Sequence, residues 1–418
     1  MIGCPKDGAG KAQNMNRRRF LFSAGGALLT GLAHAKAGRM GKPRVTAATA
    51  SRKITLSLCG DVMTGRGIDQ ILPHPGEPHL YEPYLRSAVE YVKLAERKSG
   101  RILRPVEFGY VWGDALNEWE RVRPDVRIAN LETTVTSSGN AAPNKVIHYR
   151  MHPDNLPCLT EAGFDCLVLA NNHAMDFGST GLVQTLETLH RGGIRTAGAG
   201  RNALEAAAPA IIEVPGKGRV LVFAWGMASS GVTRDLGAGK DRGGVNVLPD
   251  LSRETVKAIA RQVRAVRRPR DIVVASIHWG DNWNFSIFRG ERDFAHRLIE
   301  TAGVDVVHGH SSHHVKGIEV FRDRPILYGC GDFLNDYEGI TGYEEFRADL
   351  TLMYFPTLDP ATGELERFVM TPTQIRQFRV GRAPEQGVRW LADTLNREGQ
   401  RFGTRVAIDT DGTLRLVW

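Results

Sequence analysis

The sequence predicts an α/β protein, and three observations predict it. Seven short β-type runs alternate with segments of helical period between Lys53 and about Gly339. Each run gives way at once to polar or glycine-rich residues, most of them Asp, Asn, Glu or His. The remaining C-terminal part turns β-rich, with a single helix-period segment inside it.

In order, Ile54 to Cys59 ends at Gly60-Asp61, Val126 to Ala129 at Asn130-Leu131-Glu132, and Cys166 to Ala170 at Asn171-Asn172-His173. Val220 to Ala224 ends at Trp225-Gly226, and Ile272 to Ile277 at His278-Trp279-Gly280. Val304 to Val307 ends at His308-Gly309-His310, and Ile326 to Tyr328 at Gly329-Cys330-Gly331-Asp332. Ligands bind beyond the carboxyl ends of strands in open α/β sheets, so these ends are expected to converge on one crevice. Thr180 to Arg191, Ser252 to Val266 and Glu291 to Ala302 carry apolar residues at helical spacing. Residues 71–118 break the rhythm with Pro, His, Tyr and Glu and a helix expected from Tyr81 to Lys98; they read as an insertion near the site, a lid or substrate wall. Beyond a core at 52–345, strands at Asp349 to Phe355, Leu365 to Thr371, Val406 to Asp409 and Leu414 to Val417, with a helix from Glu385 to Arg397, are expected to extend the same domain over 346–418.

The 418 residues are 42% hydrophobic and 24% charged, enough apolar chain for a large core. The formal charge of +8 is unevenly placed: six cations against Asp7 give residues 1–37 a charge of +5. There Arg17-Arg18-Arg19-Phe20-Leu21 precedes a short apolar run to Leu32 and the small-residue sites Ala33-His34-Ala35 and Ala35-Lys36-Ala37. That is the order of a twin-arginine export signal, so the expected location is the periplasm or cell surface. Arg261, Arg264, Arg267, Arg268 and Arg270 read as a solvated helix face, and no nucleic-acid partner is expected. No CxxC pair occurs among the five cysteines, which argues against a zinc knuckle; Cys59 and Cys330 read as small buried hydrophobes.

As ligands, Asp61 and Glu132 supply carboxylates, Asn172 an amide oxygen, and His278, His310 and His313 imidazoles. That donor set suits Mn, Fe or Zn, as one or two ions, and Lewis-acid chemistry on an anionic substrate. His173 is placed to donate a proton or polarise the substrate, and Asp176 to orient it. Singly, each residue reads more readily as a turn, cap or core polar group; unrelated turns rarely put ligand-type residues after so many strands in succession.

The ordered set Gly60-Asp61-Val62-Met63, Asn130-Leu131-Glu132, Asn171-Asn172-His173-Ala174-Met175-Asp176-Phe177-Gly178, His278-Trp279-Gly280 and Gly309-His310-Ser311-Ser312-His313 with Glu319 resembles the CapA-type family of poly-γ-glutamate capsule synthesis. So do Gly331-Asp332-Phe333, where that family usually has Gly-Asn-Phe, and Phe402-Gly403-Thr404. The resemblance spans about 52–405 and implies a four-layer α/β/β/α metallophosphoesterase-like sandwich with a C-terminal β-rich extension. It implies the ligand positions Asp61, Glu132, Asn172, His278, His310 and His313, a catalytic His173, and Arg66 and Trp279 as substrate-binding neighbours. The chain departs from the wider superfamily where Met63 replaces a histidine, Glu132 an aspartate, and Gly-His-Ser-Ser-His the shorter Gly-His-x-His.

The expected function is a metal-dependent hydrolase or transferase acting on an amide or phosphoryl group of an anionic polymer or its precursor, with a membrane-bound polymer synthase as partner. Two alternatives use the same cleft: a non-catalytic assembly factor, and a metal-free isomerase with Asp61 and His310 or His313 as acid and base.

Overall fold

The structure, a computed structural model, describes residues 53–418. The expected export signal at 1–37 lies outside them. In chain order the strands are β1 Ile54–Val62, β2 Val126–Leu131, β3 Thr134–Val135, β4 Arg150–Met151, β5 Cys166–Val168, β6 Arg195–Ala197 and β7 Ala199–Gly200. There follow β8 Ala210–Val214, β9 Gly218–Gly226, β10 Gly244–Val245, β11 Asp271–His278, β12 Val306–His310, β13 Ile318–Phe321, β14 Arg324–Leu327 and β15 Asp332–Leu334. The last are β16 Leu350–Leu358, β17 Leu365–Arg376, β18 Arg379–Arg382, β19 Arg405–Ile408 and β20 Leu414–Val417. The α-helices are α1 Val89–Ser99, α2 Asp114–Val122, α3 Leu156–Glu161, α4 Gly178–Arg191, α5 Ala203–Ala207, α6 Arg253–Val266, α7 Arg289–Arg297 and α8 Glu385–Gly399.

Two large sheets form. The first runs β19-β20-β17-β16-β1-β2-β5-β6, with β15 beside β1 and β18 beside β17. The second runs β13-β14-β12-β11-β9-β8. Strands β1, β2, β5 and β6 are mutually parallel, as are β9, β11, β12 and β14, whereas β16 and β17 join antiparallel.

Three apolar clusters order the layers. Leu56, Leu58, Ile128 and Val168 of the first sheet meet Val220, Val222, Ile272, Val274 and Val306 of the second in one interior cluster. Leu182, Leu186, Trp119 and Val92 cover the other face of the first sheet, and Val256, Ile259, Val263 and Phe294 cover the other face of the second. Helices, sheet, sheet, helices is the expected four-layer sandwich. The strands after Gly339 extend the first sheet rather than building a separate one.

Residues 71–118, expected as a lid or substrate wall, also contribute to the outer layer. Trp112 and Ala115 are fully buried against the first sheet, so part of this segment is an outer layer of the sandwich. Its helix starts at Val89 instead of Tyr81, because the backbone of Leu80 bonds Arg86 and closes a turn around Pro83. Cys59, Cys158, Cys166 and Cys330 are buried free thiols. Among the described residues no helix is long and apolar enough to cross a membrane.

Candidate metal centre

The polar strand ends of both sheets come together at the carboxyl ends of their parallel strands. Gly60 makes the first approach possible. A Cβ there would stand 1.7 Å from the Gly331 carbonyl oxygen, so only glycine lets β15 lie against β1 with Asp61 beside Asp332. Cross-strand register likewise sets Asp61 beside Asn130, and His278 beside His310.

Asp61 accepts from Asn130 Nδ2 at 2.8 Å and from the Ser311 N–H at 3.1 Å, and its Oδ1 lies 3.8 Å from His310 Nδ1. His278 and His310 face each other through their Nδ1 atoms at 2.8 Å. His278 Nε2 lies 3.0 Å from Asn172 Oδ1 and 3.6 Å from Glu132 Oε1. His313 Nδ1 meets Asp332 Oδ1 at 2.9 Å. Two sets of three donors, Asp61-His278-His310 and Asp61-His313-Asp332, are each compact enough to hold one ion and share Asp61. All six expected ligand residues therefore join one linked cluster.

A chain of hydrogen bonds fixes the tautomers. His308 Nε2–H donates to the Cys59 carbonyl at 2.9 Å, leaving its Nδ1 to accept from the Ser276 hydroxyl at 3.0 Å. Ser276 Oγ then accepts from His310 Nε2–H at 2.9 Å, so the His310 Nδ1 lone pair points into the site. His278 is left in conflict. With its proton on Nδ1 it satisfies His310, but its Nε2 then faces only acceptors, Asn172 Oδ1 and Glu132 Oε1. With its proton on Nε2 it satisfies Asn172, but two Nδ1 lone pairs collide. Glu132 Oε2 is buried and has no hydrogen-bond partner. A cluster of inward acceptors around an orphaned carboxylate oxygen is the chemistry a divalent cation satisfies, and the residues fit one.

Electrostatics follow from burial. Burial, with Asp332 adding repulsion, pushes the Asp61 carboxyl up to about 7. Burial and the Asp61 and Asp332 carboxylates drive Glu132 well above the usual range. Burial and neighbouring imidazoles hold His278 and His310 far below the ordinary histidine value, in the neutral form that binds metal. His313 goes the other way: burial opposes its charge, but Asp332 outweighs burial and raises it.

His173 stands at the rim of this cluster with Nε2 3.8 Å from Glu132 Oε1. Its backbone N–H bonds Asn171 Oδ1 at 3.0 Å, and Asn171 is itself held by Asn130. Its Nδ1 donates to Asp176 Oδ2 at 2.7 Å. Lys145 closes the group: its ammonium bonds Asp176 Oδ1 and the Asn172 carbonyl and lies 3.2 Å from His173 Nδ1. Burial, opposed by Asp176 and assisted by Lys145, lowers His173 to about 4. The resting imidazole is neutral, with its Nε2 lone pair toward the acidic cluster.

Two expected contacts with substrate are corrected. Trp279 is 1% exposed and packs on Tyr328 in the outer core, its indole N–H donating to the Tyr328 carbonyl at 3.1 Å; strand alternation after His278 turns it away from the site. Arg66 is 3% exposed, and its guanidinium bonds Asp336, Glu82 and the Tyr91 hydroxyl, leaving it to brace the wall rather than meet a ligand. Reasoning from sequence missed Asp332, Lys145 and an aromatic wall in which Trp283 stacks on Tyr343 at 4.3 Å and lies 5.0 Å from His313. The Gly-Asp-Phe motif was the signal for Asp332; Lys145 sits in a loop without pattern.

The sequence profile described as "Bacterial capsule synthesis protein PGA_cap" matches residues 55–337. A "Probable polyglutamine synthesis accessory protein" of Mycobacterium tuberculosis is 47% identical over 365 residues, 87% of this chain and 96% of that one. "Capsule biosynthesis protein CapA" of Bacillus anthracis is 24% identical over 68% of this chain and 61% of its own length. "PGA biosynthesis protein CapA" of Bacillus subtilis is 26% identical over 78% and 72%. Among solved structures, a novel phosphatase from Mycoplasma pneumoniae aligns over 81% of this chain and 96% of its own at 10% identity, with a TM-score of 0.42.

Proposed function

The chain belongs to the bacterial capsule synthesis family PGA_cap, and from that premise we propose that it is an exported accessory factor of glutamate-polymer synthesis whose cleft uses a divalent metal to cleave or transfer an amide or phosphoryl group of the polymer or its precursor. The observation that carries the metal part is the set of inward acceptors around the orphaned Glu132 Oε2. Asp61, His278 and His310 would hold one ion, with Asn172 and Glu132 beside them; Asp61, His313 and Asp332 would hold a second. Mn, Fe or Zn bound there supplies Lewis-acid activation of water and neutralises substrate charge.

The chain's own residues do the rest. Neutral His173 accepts a proton at Nε2 and returns it to a leaving group, while Asp176 stabilises the imidazolium so formed. Lys145 pins Asp176 and the Asn172 carbonyl together, so the base and a ligand keep one spacing. Export by the twin-arginine route belongs to the same proposal, since that route carries proteins already folded around a cofactor.

A second reading, an assembly factor beside a membrane-bound synthase, draws on the word "accessory" in the name of the relative that is 47% identical. One experiment separates the two. Elemental analysis of protein purified without added metal, followed by assays on a phosphodiester and on poly-γ-glutamate, should find at least one ion per chain and turnover that chelation removes. Metal-free, inactive protein that still sustains polymer production in cells would leave only the assembly role.

A further inference from the structure

Helix α6 carries Arg253, Lys257, Arg261 and Arg264, and Arg268 follows just beyond its end. At about 100° per residue the four helical positions fall within an arc of roughly 80°. All five are exposed, while Val256, Ile259, Ala260 and Val263 of the opposite face are buried in the outer core. Lys257 has one weak ion pair, to Glu254 at 3.9 Å. Among the described residues, no acidic side chain pairs with Arg253, Arg261, Arg264 or Arg268. Arg267, within the same run, turns away to Asp305 and the Gly303 carbonyl. Of the run expected from sequence to be a solvated helix face, Arg261, Arg264 and Arg268 are exposed, and with Arg253 and Lys257 they make a concentrated cationic stripe.

The stripe is also aimed. Strands β9 and β11 are parallel and α6 is part of the crossover between them, so the helix runs back against the strands. Arg253 therefore lies toward the strand ends that carry His278, and Arg268 toward the far end.

We propose that this stripe is a docking track for a polyanionic chain, a γ-linked polyglutamate. The proposal rests on the reading that the protein serves glutamate-polymer synthesis. A helix rise of 1.5 Å spaces the four helical charges about 4.5–6 Å apart over about 16 Å. A γ-linked glutamyl unit has five backbone bonds, so an extended chain presents one carboxylate per roughly 6 Å. Line charge therefore matches line charge, about one to one. Polyglutamine would give the stripe nothing to neutralise. A lipid surface fits less well, because the exposed positions between the cations of the helix and Arg268 are Glu254, Gln262 and Ala265, with no large apolar side chain to insert.

The test uses the full chain and its variant R253Q/K257Q/R261Q/R264Q, with R253K/R261K/R264K as the charge-preserving control. Binding is measured to poly-γ-glutamate, to a polyglutamine oligomer, to phosphatidylcholine vesicles containing phosphatidylglycerol, and to duplex DNA, at low and at physiological ionic strength. The wild type should bind poly-γ-glutamate best and lose affinity with salt. The Gln variant should lose on the order of 10–100-fold, and the Lys control should stay near wild type. Unfolding curves check that the variants fold, and R261Q/R264Q offers a milder pair if the fourfold variant does not. Unchanged binding by the Gln variants, equal binding of polyglutamine, or preference for vesicles or DNA would overturn the proposal. Cellular polymer production is scored separately. If it requires the chain but not the stripe, the stripe proposal alone fails; if it does not require the chain at all, the functional reading fails instead.

Discussion

At His173, burial and Lys145 oppose protonation while Asp176 favours it, and the imidazole settles at about 4. Identity alone would have made it a proton donor; its neighbours make it a resting base. Two substitutions follow at this scale. His173→Ala removes no ligand, so metal content and fold should persist while turnover falls by roughly 10²–10⁴-fold, the usual contribution of positioned acid–base catalysis. Asp61→Asn or His278→Ala should lose metal and turnover together. Metal content of the three purified variants, measured beside activity, decides it: metal loss in His173→Ala would make this residue a ligand. Lys145→Met tests the pin. Removing hydrogen bonds to a charged partner costs about 1.5–3 kcal/mol, so its melting temperature should drop, and turnover should fall with metal content unchanged. Asp61, Glu132, Asn172, His278 and His310 were legible because each stands within three residues of the end of an apolar run, and His313 through the Gly-His-Ser-Ser-His motif. Lys145 was not, because a loop side chain has no period and its role depends on what Asp176 and Asn172 do above it. Arg66 and Trp279 were misread for the converse reason: adjacency to a motif says nothing about which way a side chain turns or who already holds it.

Elements, more than residues, set how close the ligands come. The approach of β15 to β1 needs Gly60, where a Cβ would stand 1.7 Å from the Gly331 carbonyl oxygen. Backbone met by backbone has no flexible end to yield, so Gly60→Ala should force the two strands apart, costing more than about 3 kcal/mol or preventing folding. Gly216 is the matched control. Its φ is +74° and nothing lies within 4 Å of a Cβ there, so Gly216→Ala should cost only about 1–2 kcal/mol of left-handed strain. Comparable melting temperatures for the two variants would mean that the β1–β15 contact is not what places Asp61 beside Asp332. The strand runs themselves were legible, since parallel strands buried on both faces read as unbroken apolar stretches. The role of 71–118 was not. Trp112 packs onto the first sheet from a segment whose Pro and His content resembles a loop, and only the tertiary contact shows it as an outer layer.

For the whole molecule, the buried cluster couples folding to metal and to pH. Asp61 and Glu132 have folded values raised above their unfolded ones, so the protonated forms favour the folded chain. Their contribution is fully present below the unfolded carboxylate range and is lost as pH rises through the folded values, about 7 for Asp61. His278, His310 and His173 are depressed, so their contribution is present above the ordinary histidine range and is lost as pH falls. The two sets oppose each other at acid pH. From about pH 7 upward the depressed histidines are largely neutral both folded and unfolded, and the raised groups, Asp61, Glu132 and His313, set the slope. Metal-free protein should therefore lose stability between about pH 7 and 8. A bound divalent cation takes the place of those protons, binds more tightly as they leave, and stabilises the folded chain in proportion to RT ln(1 + [L]/Kd). Thermal unfolding across that range, in chelator and in excess Mn²⁺, should give a falling melting temperature in the first series and a flat or rising one in the second. The gap between the series should widen with pH and shrink in Asp61→Asn, which removes both the titrating carboxyl and the negative charge of the residue shared by the two candidate ion positions. Parallel series with no gap would mean that the acceptors around Glu132 are satisfied by protons alone, and the cleft would then be a binding site without a metal.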